Sequence, residues 1–300
     1  MKILLFGAGG QVGWELQRAL APLGDVVALD RQSNADALCG DFTRLDALAA
    51  TVRAVQPQAI VNAAAYTAVD KAEAEPDLAR TLNAAAPAVL ARAAAALGAW
   101  LLHYSTDYVF DGSGTTPWRE DSPTGPLNVY GRTKLDGEHA VRASGCRHLL
   151  LRTSWVYAAR GDNFARTMLR LCTERDALQV VSDQVGAPTG ADLLADITAH
   201  ALRAAMANPA RAGTYHVSAA GETSWHGYAR LVSQWALARG LPVKATPERI
   251  TPVPSSAWPA PARRPLNSRL DTTRLRATFG LHLPDWAAGV RRMLDEATAR

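Results

Sequence analysis

Short apolar runs alternate along this chain with longer stretches in which apolar residues recur at helical spacing. Ile3-Leu-Leu-Phe6 is stopped by Gly7 and reads as a parallel strand buried on both faces. Val12 to Leu23 carries a helical pattern that closes near Pro22 and Gly24. Val26 to Leu29 predicts a second strand, Arg44 to Val55 a helix and Ala59 to Val61 a third strand. Leu78 to Leu97 predicts one long Ala-rich helix, and Trp100 to Tyr104 a strand. The glycines and prolines between Asp111 and Pro126 mark a loop, followed by a helix around Tyr130 and a strand from Leu149 to Arg152. Regular alternation of this kind predicts an α/β fold, a doubly wound parallel sheet with helices on both faces.

Beyond Trp155 the pattern loosens. Phe164 to Arg175, Asp192 to Met206 and Trp225 to Arg239 predict helices, and Gln179 to Val181 a short strand. Ile250 to Pro265 is Pro-rich and reads as irregular, as suits a lobe that folds over a cleft. The expected division is a nucleotide-binding domain over 1–155, with parts of 178–220 returning to it, and a smaller C-terminal substrate lobe over 156–300.

Composition narrows the class. The apolar share of 48% is that of an ordinary globular protein, and 20% charged residues is low for a disordered one. The net charge of +4 comes from scattered Lys and Arg, with no basic run of the kind that marks nucleic-acid contact. No apolar run reaches the ~20 residues of a membrane span, and the N-terminal run breaks too early for a signal peptide. Cys39, Cys146 and Cys172 are odd in number and far apart, which fits a reducing cytoplasm better than a disulfide framework.

Six segments carry chemistry. Gly7-Ala-Gly-Gly10-Gln11-Val12-Gly13 follows the first strand and opens the first helix, where a pyrophosphate meets free N–H groups and the helix dipole. Asp30, at the end of the second strand, is placed for an adenosine ribose 2′-hydroxyl and so for NADH; Arg31 beside it suits the 2′-phosphate of NADPH. Asp41-Phe42 and Ala65-Tyr66-Thr67 fall on the same rim, outside the carboxyl ends of strands. Tyr104-Ser-Thr106-Asp107 ends the next strand, where a hydroxyl can stabilise charge on a substrate oxygen. Tyr130 and Lys134 stand four apart, on one helix face, so the ammonium is expected to lower the phenol pKa towards a range useful for proton transfer.

In this order these motifs resemble the extended short-chain dehydrogenase/reductases. Tyr104 to Phe110, Pro126 to Lys134, Arg152 to Tyr157 and Arg264-Pro-Leu-Asn-Ser268 resemble, within them, the dTDP-4-dehydrorhamnose reductases, over essentially the whole chain. The resemblance implies a Rossmann domain, NADPH or NADH as cofactor, a homodimer, and dTDP-4-dehydro-L-rhamnose as the substrate reduced at C4. It implies Tyr130 as proton donor, Lys134 on the phenol and the nicotinamide ribose, and Thr106 on both Tyr130 and substrate. Asp107 and Trp155 are expected on the sugar, and Gly10, Gln11, Val12, Asp30, Asp41, Phe42, Ala65, Tyr66, Thr67 and Tyr104 along the cofactor. The family's link to Mg²⁺ singles out Glu15, Asp192 and Glu296, with a solvated-face role as the alternative. Two other readings are a nucleotide-sugar epimerase or dehydratase of the same fold, and a non-catalytic regulatory subunit like that of some methionine adenosyltransferases. Intact Thr106, Tyr130 and Lys134 argue against the last.

Overall fold

A computed structural model describes residues 1–33 and 38–299. The chain begins β1 (Lys2–Phe6), α1 (Gln11–Leu20), β2 (Asp25–Leu29), α2 (Leu45–Val55), β3 (Ala59–Asn62), α3 (Val69–Ala74) and α4 (Pro76–Arg80). A π-helical turn (Thr81–Ala85) leads into α5 (Ala86–Leu97), then β4 (Trp100–Thr106), α6 (Val129–Ala143) and β5 (Arg147–Thr153). There follow β6 (Val156–Tyr157), α7 (Phe164–Glu174), β7 (Leu178–Val181), β8 (Val185–Gly186), β9 (Thr189–Gly190) and α8 (Ala191–Ala207). The chain closes with β10 (Gly213–His216), β11 (Thr223–Ser224), α9 (Trp225–Ala238), β12 (Ile250–Val253), α10 (Thr273–Phe279) and α11 (Trp286–Thr298).

Six strands form one sheet in the order β10-β5-β4-β3-β1-β2, every pair parallel. The strand order reverses between β1 and β3, and ligands bind outside the carboxyl ends of strands at such a point. Alternation decides which helix each strand residue meets. Ile3, Leu5, Val61, Leu102 and Leu151 pack with Leu16 of α1 and Leu194 of α8 on one face. Leu4, Phe6, Ile60, Leu101 and Leu150 pack with Leu48 of α2 and Leu90 of α5 on the other. A separate core joins Met168 and Cys172 of α7, Tyr228 and Val232 of α9, Ile250 of β12, and Val290 and Leu294 of α11.

Three expectations need correction. The predicted helix over Leu78 to Leu97 is interrupted by the π turn at Thr81–Ala85 and is preceded by α3, which the pattern did not signal. Ile250 to Pro265 is not wholly irregular, because Ile250–Val253 pairs in parallel with Leu178–Val181 in a two-stranded sheet. Pro252 is tolerated because a two-stranded sheet has only edges. Finally, β10 completes the main sheet although its Gly-Thr-Tyr-His sequence carries no strand signal.

Candidate active site

The turn after β1 is shaped by its glycines. Gly7 adopts φ +83°, and a Cβ there would lie 2.6 Å from the Ala64 nitrogen. A Cβ on Gly13 would lie 1.9 Å from the Gly7 carbonyl oxygen, so only glycine lets α1 start this close to the strand. Gly10 is the N-cap of α1, and no side chain caps the helix. The first turn, with Gln11, Val12 and Gly13, is thus left to hydrogen-bond an anion, which fits a dinucleotide pyrophosphate. Gln11 donates to the Asp162 carbonyl at 3.4 Å and so ties this turn to the loop before α7.

At the next rim Asp30 Oδ1 accepts from the Gln32 N–H and the Ser33 hydroxyl, while Oδ2 faces Gly9. Gly40 packs on the Asp30 carbonyl and brings Asp41 alongside. The Thr43 N–H, at 2.9 Å, holds the Asp41 pKa below its usual value, helped by Arg31 and Arg44. Phe42 departs from expectation: its ring is buried edge-on against Phe6, so only its main chain can face a cofactor. Ala65, Tyr66 and Thr67 continue from β3, with Tyr66 pinned on both sides of its main chain by Asn83 of the π turn. The Tyr66 hydroxyl donates to Glu75 at 2.6 Å.

Tyr104 also departs from expectation. Its side chain crosses to the opposite face and bonds Thr198 of α8, and only its carbonyl reaches the site, accepting from Lys134 Nζ at 2.6 Å. Lys134 is buried, and loss of water brings its pKa down to about 8 against the raising effect of Glu138. Tyr130 stands one turn away on α6, edge-on to Tyr108 at 5.6 Å. Its pKa is pushed up to about 12 by burial, eased by the Thr106 hydroxyl and raised further by Asp107. The expected lowering by Lys134 is not seen in the protein alone: burial dominates, and the one group that eases it is the Thr106 hydroxyl.

Thr106 donates to Asp107 Oδ1 at 3.1 Å and accepts from the Tyr108 N–H. Asp107 is 2% exposed, its Oδ2 has no hydrogen-bond partner, and burial raises its pKa to about 7 despite Ser268 and Thr106 beside it. Trp155 holds a left-handed φ of +49°, rare for a bulky residue and costly unless its surroundings enforce it. Its ring stacks on Trp225 at 3.7 Å, and Gly186 wedges between it and Ser268.

A strap over 262–268 crosses this rim. Asp70 accepts from Arg264 at 2.6 and 3.0 Å and from the Ala262 N–H, Asn128 donates to the Arg263 carbonyl, and Asn267 donates to Ser113 and Thr116. Ser268 was part of the Arg264-to-Ser268 motif, but nothing in the sequence singled out Asp70 or Asn83. The expected metal set is not assembled: among the described residues no three His, Cys, Asp or Glu side chains are grouped to hold an ion. Asp192 is paired with Arg292 at 3.2 Å, Glu15 with Arg18 at 3.6 Å, and Glu296 is exposed on α11.

The family model for the RmlD substrate binding domain matches residues 1–299. A dTDP-4-dehydrorhamnose reductase of Escherichia coli (strain K12) is 56% identical over 296 residues, covering 99% of this chain and 98% of its own. The solved dTDP-4-dehydrorhamnose reductase of Clostridium acetobutylicum superposes with a TM-score of 0.88 at 36% identity, covering 99% of both chains. That of Bacillus anthracis, solved in complex with NADP, gives 0.85 at 34%, covering 98% of this chain and 99% of its own. The chain therefore belongs to the RmlD substrate-binding-domain family, that of the dTDP-4-dehydrorhamnose reductases.

Proposed function

We propose that this protein is the NAD(P)H-dependent reductase that converts dTDP-4-dehydro-L-rhamnose to dTDP-L-rhamnose. The observation that carries the reading is the placement of Thr106, Tyr130 and Lys134 on one rim, beside an uncapped glycine-built helix N-terminus. Gly7, Gly10, Gln11, Val12 and Gly13 hold the pyrophosphate, and Asp30 and Asp41 the adenosine end. Asp30 supports NADH, and Arg31 beside Asp41 supports NADPH, in keeping with the NADP held by the Bacillus relative. When bound, the cofactor supplies hydride to the C4 carbonyl carbon.

Tyr130 donates its proton to the carbonyl oxygen, and the Thr106 hydroxyl steadies that oxygen as charge develops. Lys134 stabilises the phenolate left behind and, fixed on the Tyr104 carbonyl, presents its remaining donors to the nicotinamide ribose. The unpartnered Asp107 Oδ2 accepts a sugar hydroxyl, and Trp155 offers a rigid face to the ring. In this reading residues 1–155, with β10, hold the cofactor, while 156–300 mainly hold the sugar nucleotide. The buried free cysteines support a reducing compartment, and no helix among the described residues is long and apolar enough to cross a membrane.

The test is loss of NAD(P)H absorbance with dTDP-4-dehydro-L-rhamnose, set against the keto-D-glucose isomer. Reduction of the L-sugar alone is expected. Turnover of neither, with stoichiometric NAD released on denaturation, would point to an epimerase instead.

A further inference from the structure

Beneath Lys134, on the sheet face covered by α5 and α6, lies a polar group with no part in the steps above. His103 of β4 is 1% exposed and stands beside Asn62 of β3 in the parallel register. The Asn62 Oδ1 accepts from the Ala64 N–H at 3.0 Å, which fixes the amide orientation. Its Nδ2 must then donate to His103 Nδ1, 2.9 Å away. With Nδ1 an acceptor, the neutral imidazole carries its proton on Nε2. Burial and the Lys134 charge, partly offset by Glu138, hold the His103 pKa well below its usual value, so the ring is neutral at working pH.

That Nε2–H is buried and has no acceptor among the described residues. The Ser105 hydroxyl, two residues along the same face of β4, is also buried; it lies beside the Glu138 carboxylate, whose pKa it helps to lower, and its oxygen is left to accept. Lys134 has three N–H donors and, among the described residues, one acceptor, the Tyr104 carbonyl. Unpaired buried donors are rare, and ordered internal water is their usual partner. A single internal water could serve the set by accepting from His103 Nε2 and Lys134 Nζ and donating to Ser105 Oγ.

We propose that His103 is a positioning residue for Lys134, holding with Ser105 an internal water to which the ammonium donates, so that Nζ stays charged and fixed beside Tyr130. Through Asn62 and Ala64 the same imidazole is tied to the loop that backs Gly7, so one side chain steadies both the ammonium and the cofactor turn. The charged and titratable groups facing Lys134 are Glu138 and Tyr130 on its own helix and His103 on β4. Arg152 of β5 and Arg142 act on it through their ion pairs with Glu138. The proposal rests on the role given to Lys134 above, but its test needs no substrate.

The chain has four lysines, Lys2, Lys71, Lys134 and Lys244, so ¹³C-lysine labelling lets Lys134 be titrated by NMR in the free protein. His103→Leu removes the water's donor, and the Lys134 titration should fall by about 1 pH unit, since a less solvated ammonium gives up its proton more readily. His103→Gln restores an amide donor of similar reach and should return it to within ~0.3 unit of the native value. An unmoved titration in a folded His103→Leu protein overturns the proposal, and so does an equal fall in His103→Gln, which would make the cause packing. Should His103→Leu fail to fold, a crystal structure of the native chain decides. Water bonded to both Nε2 and Nζ is expected, and a dry contact overturns it. A native chain that fails to reduce the ketosugar sinks the functional reading while leaving these readouts intact.

Discussion

At the scale of single residues, the placement of Tyr130 and Lys134 on one helix was legible but the electrostatics there were not. Spacing along a helix places Tyr130 above Lys134, yet burial by residues distant in sequence decides the phenol pKa. Tyr130→Phe should keep cofactor affinity within about twofold and lower kcat by at least ~100-fold, because shape survives and the proton donor does not. Fluorescence titration and steady-state assay measure the two. Asp107 gives a test by pH. Its pKa rises from 3.8 to about 7 on folding, so the folded state holds an extra proton between those values and stability falls as pH rises through that window. Asp107→Asn should therefore raise the melting temperature at pH 8, by the equivalent of about 1–3 kcal/mol, while the gain vanishes near pH 4. Sugar binding should weaken at the same time. Asp70 shows why some residues escape a reading by sequence: its partner Arg264 opens a recognised segment but lies 194 positions away, and Asp70 itself stands in no local pattern.

Among the elements, those buried on both faces were the readable ones. β1, β3 and β4 open with apolar runs because helices cover both sides of them, and α1 follows its glycine turn. β10 is short and polar at the end of the sheet, with fewer apolar positions to betray it, and β12 hides behind its proline. Gly13→Ala tests the turn at this scale. The added methyl meets the Gly7 carbonyl, so α1 must move off the strand, and NADH dissociation should rise at least ~10-fold, with a stability loss of roughly 1–3 kcal/mol. Calorimetric titration and thermal melting separate the two effects.

For the whole molecule, a buried ion cluster joins α6 to the sheet. Arg152 grips Glu138 through two bonds of 2.8 and 2.7 Å, and Arg142 adds a third of 2.6 Å. Burial alone would push Glu138 up, but the guanidinium groups win and bring its pKa to about 2. The stability this gives is present above the unfolded pKa of 4.5 and is lost as pH falls towards 2. Glu138→Gln leaves Arg152 charged and buried and should cost about 3–5 kcal/mol in denaturant melts at pH 7, with the difference shrinking in acid. The sequence marked Arg152 only as the start of a recognised segment and Glu138 and Arg142 as ordinary helix members, since pairing across layers has no signal of its own.

The π turn at Thr81–Ala85 has a consequence for chain length. Such a turn carries one residue more than an α-helix needs, and Asn83 within it holds both sides of the Tyr66 main chain and touches Thr133 of α6. Excising Leu82 would let α4 and α5 fuse into a continuous α-helix, each position before the excision turning by about 100° around the axis. The shortened protein should be as helical by circular dichroism as the native one, and its affinity for NADH should fall at least ~10-fold as the Tyr66 loop loses its tether. In this helix the irregularity is the register mark: an insertion kept because its removal would improve the hydrogen bonding of one element and misalign the rim it serves.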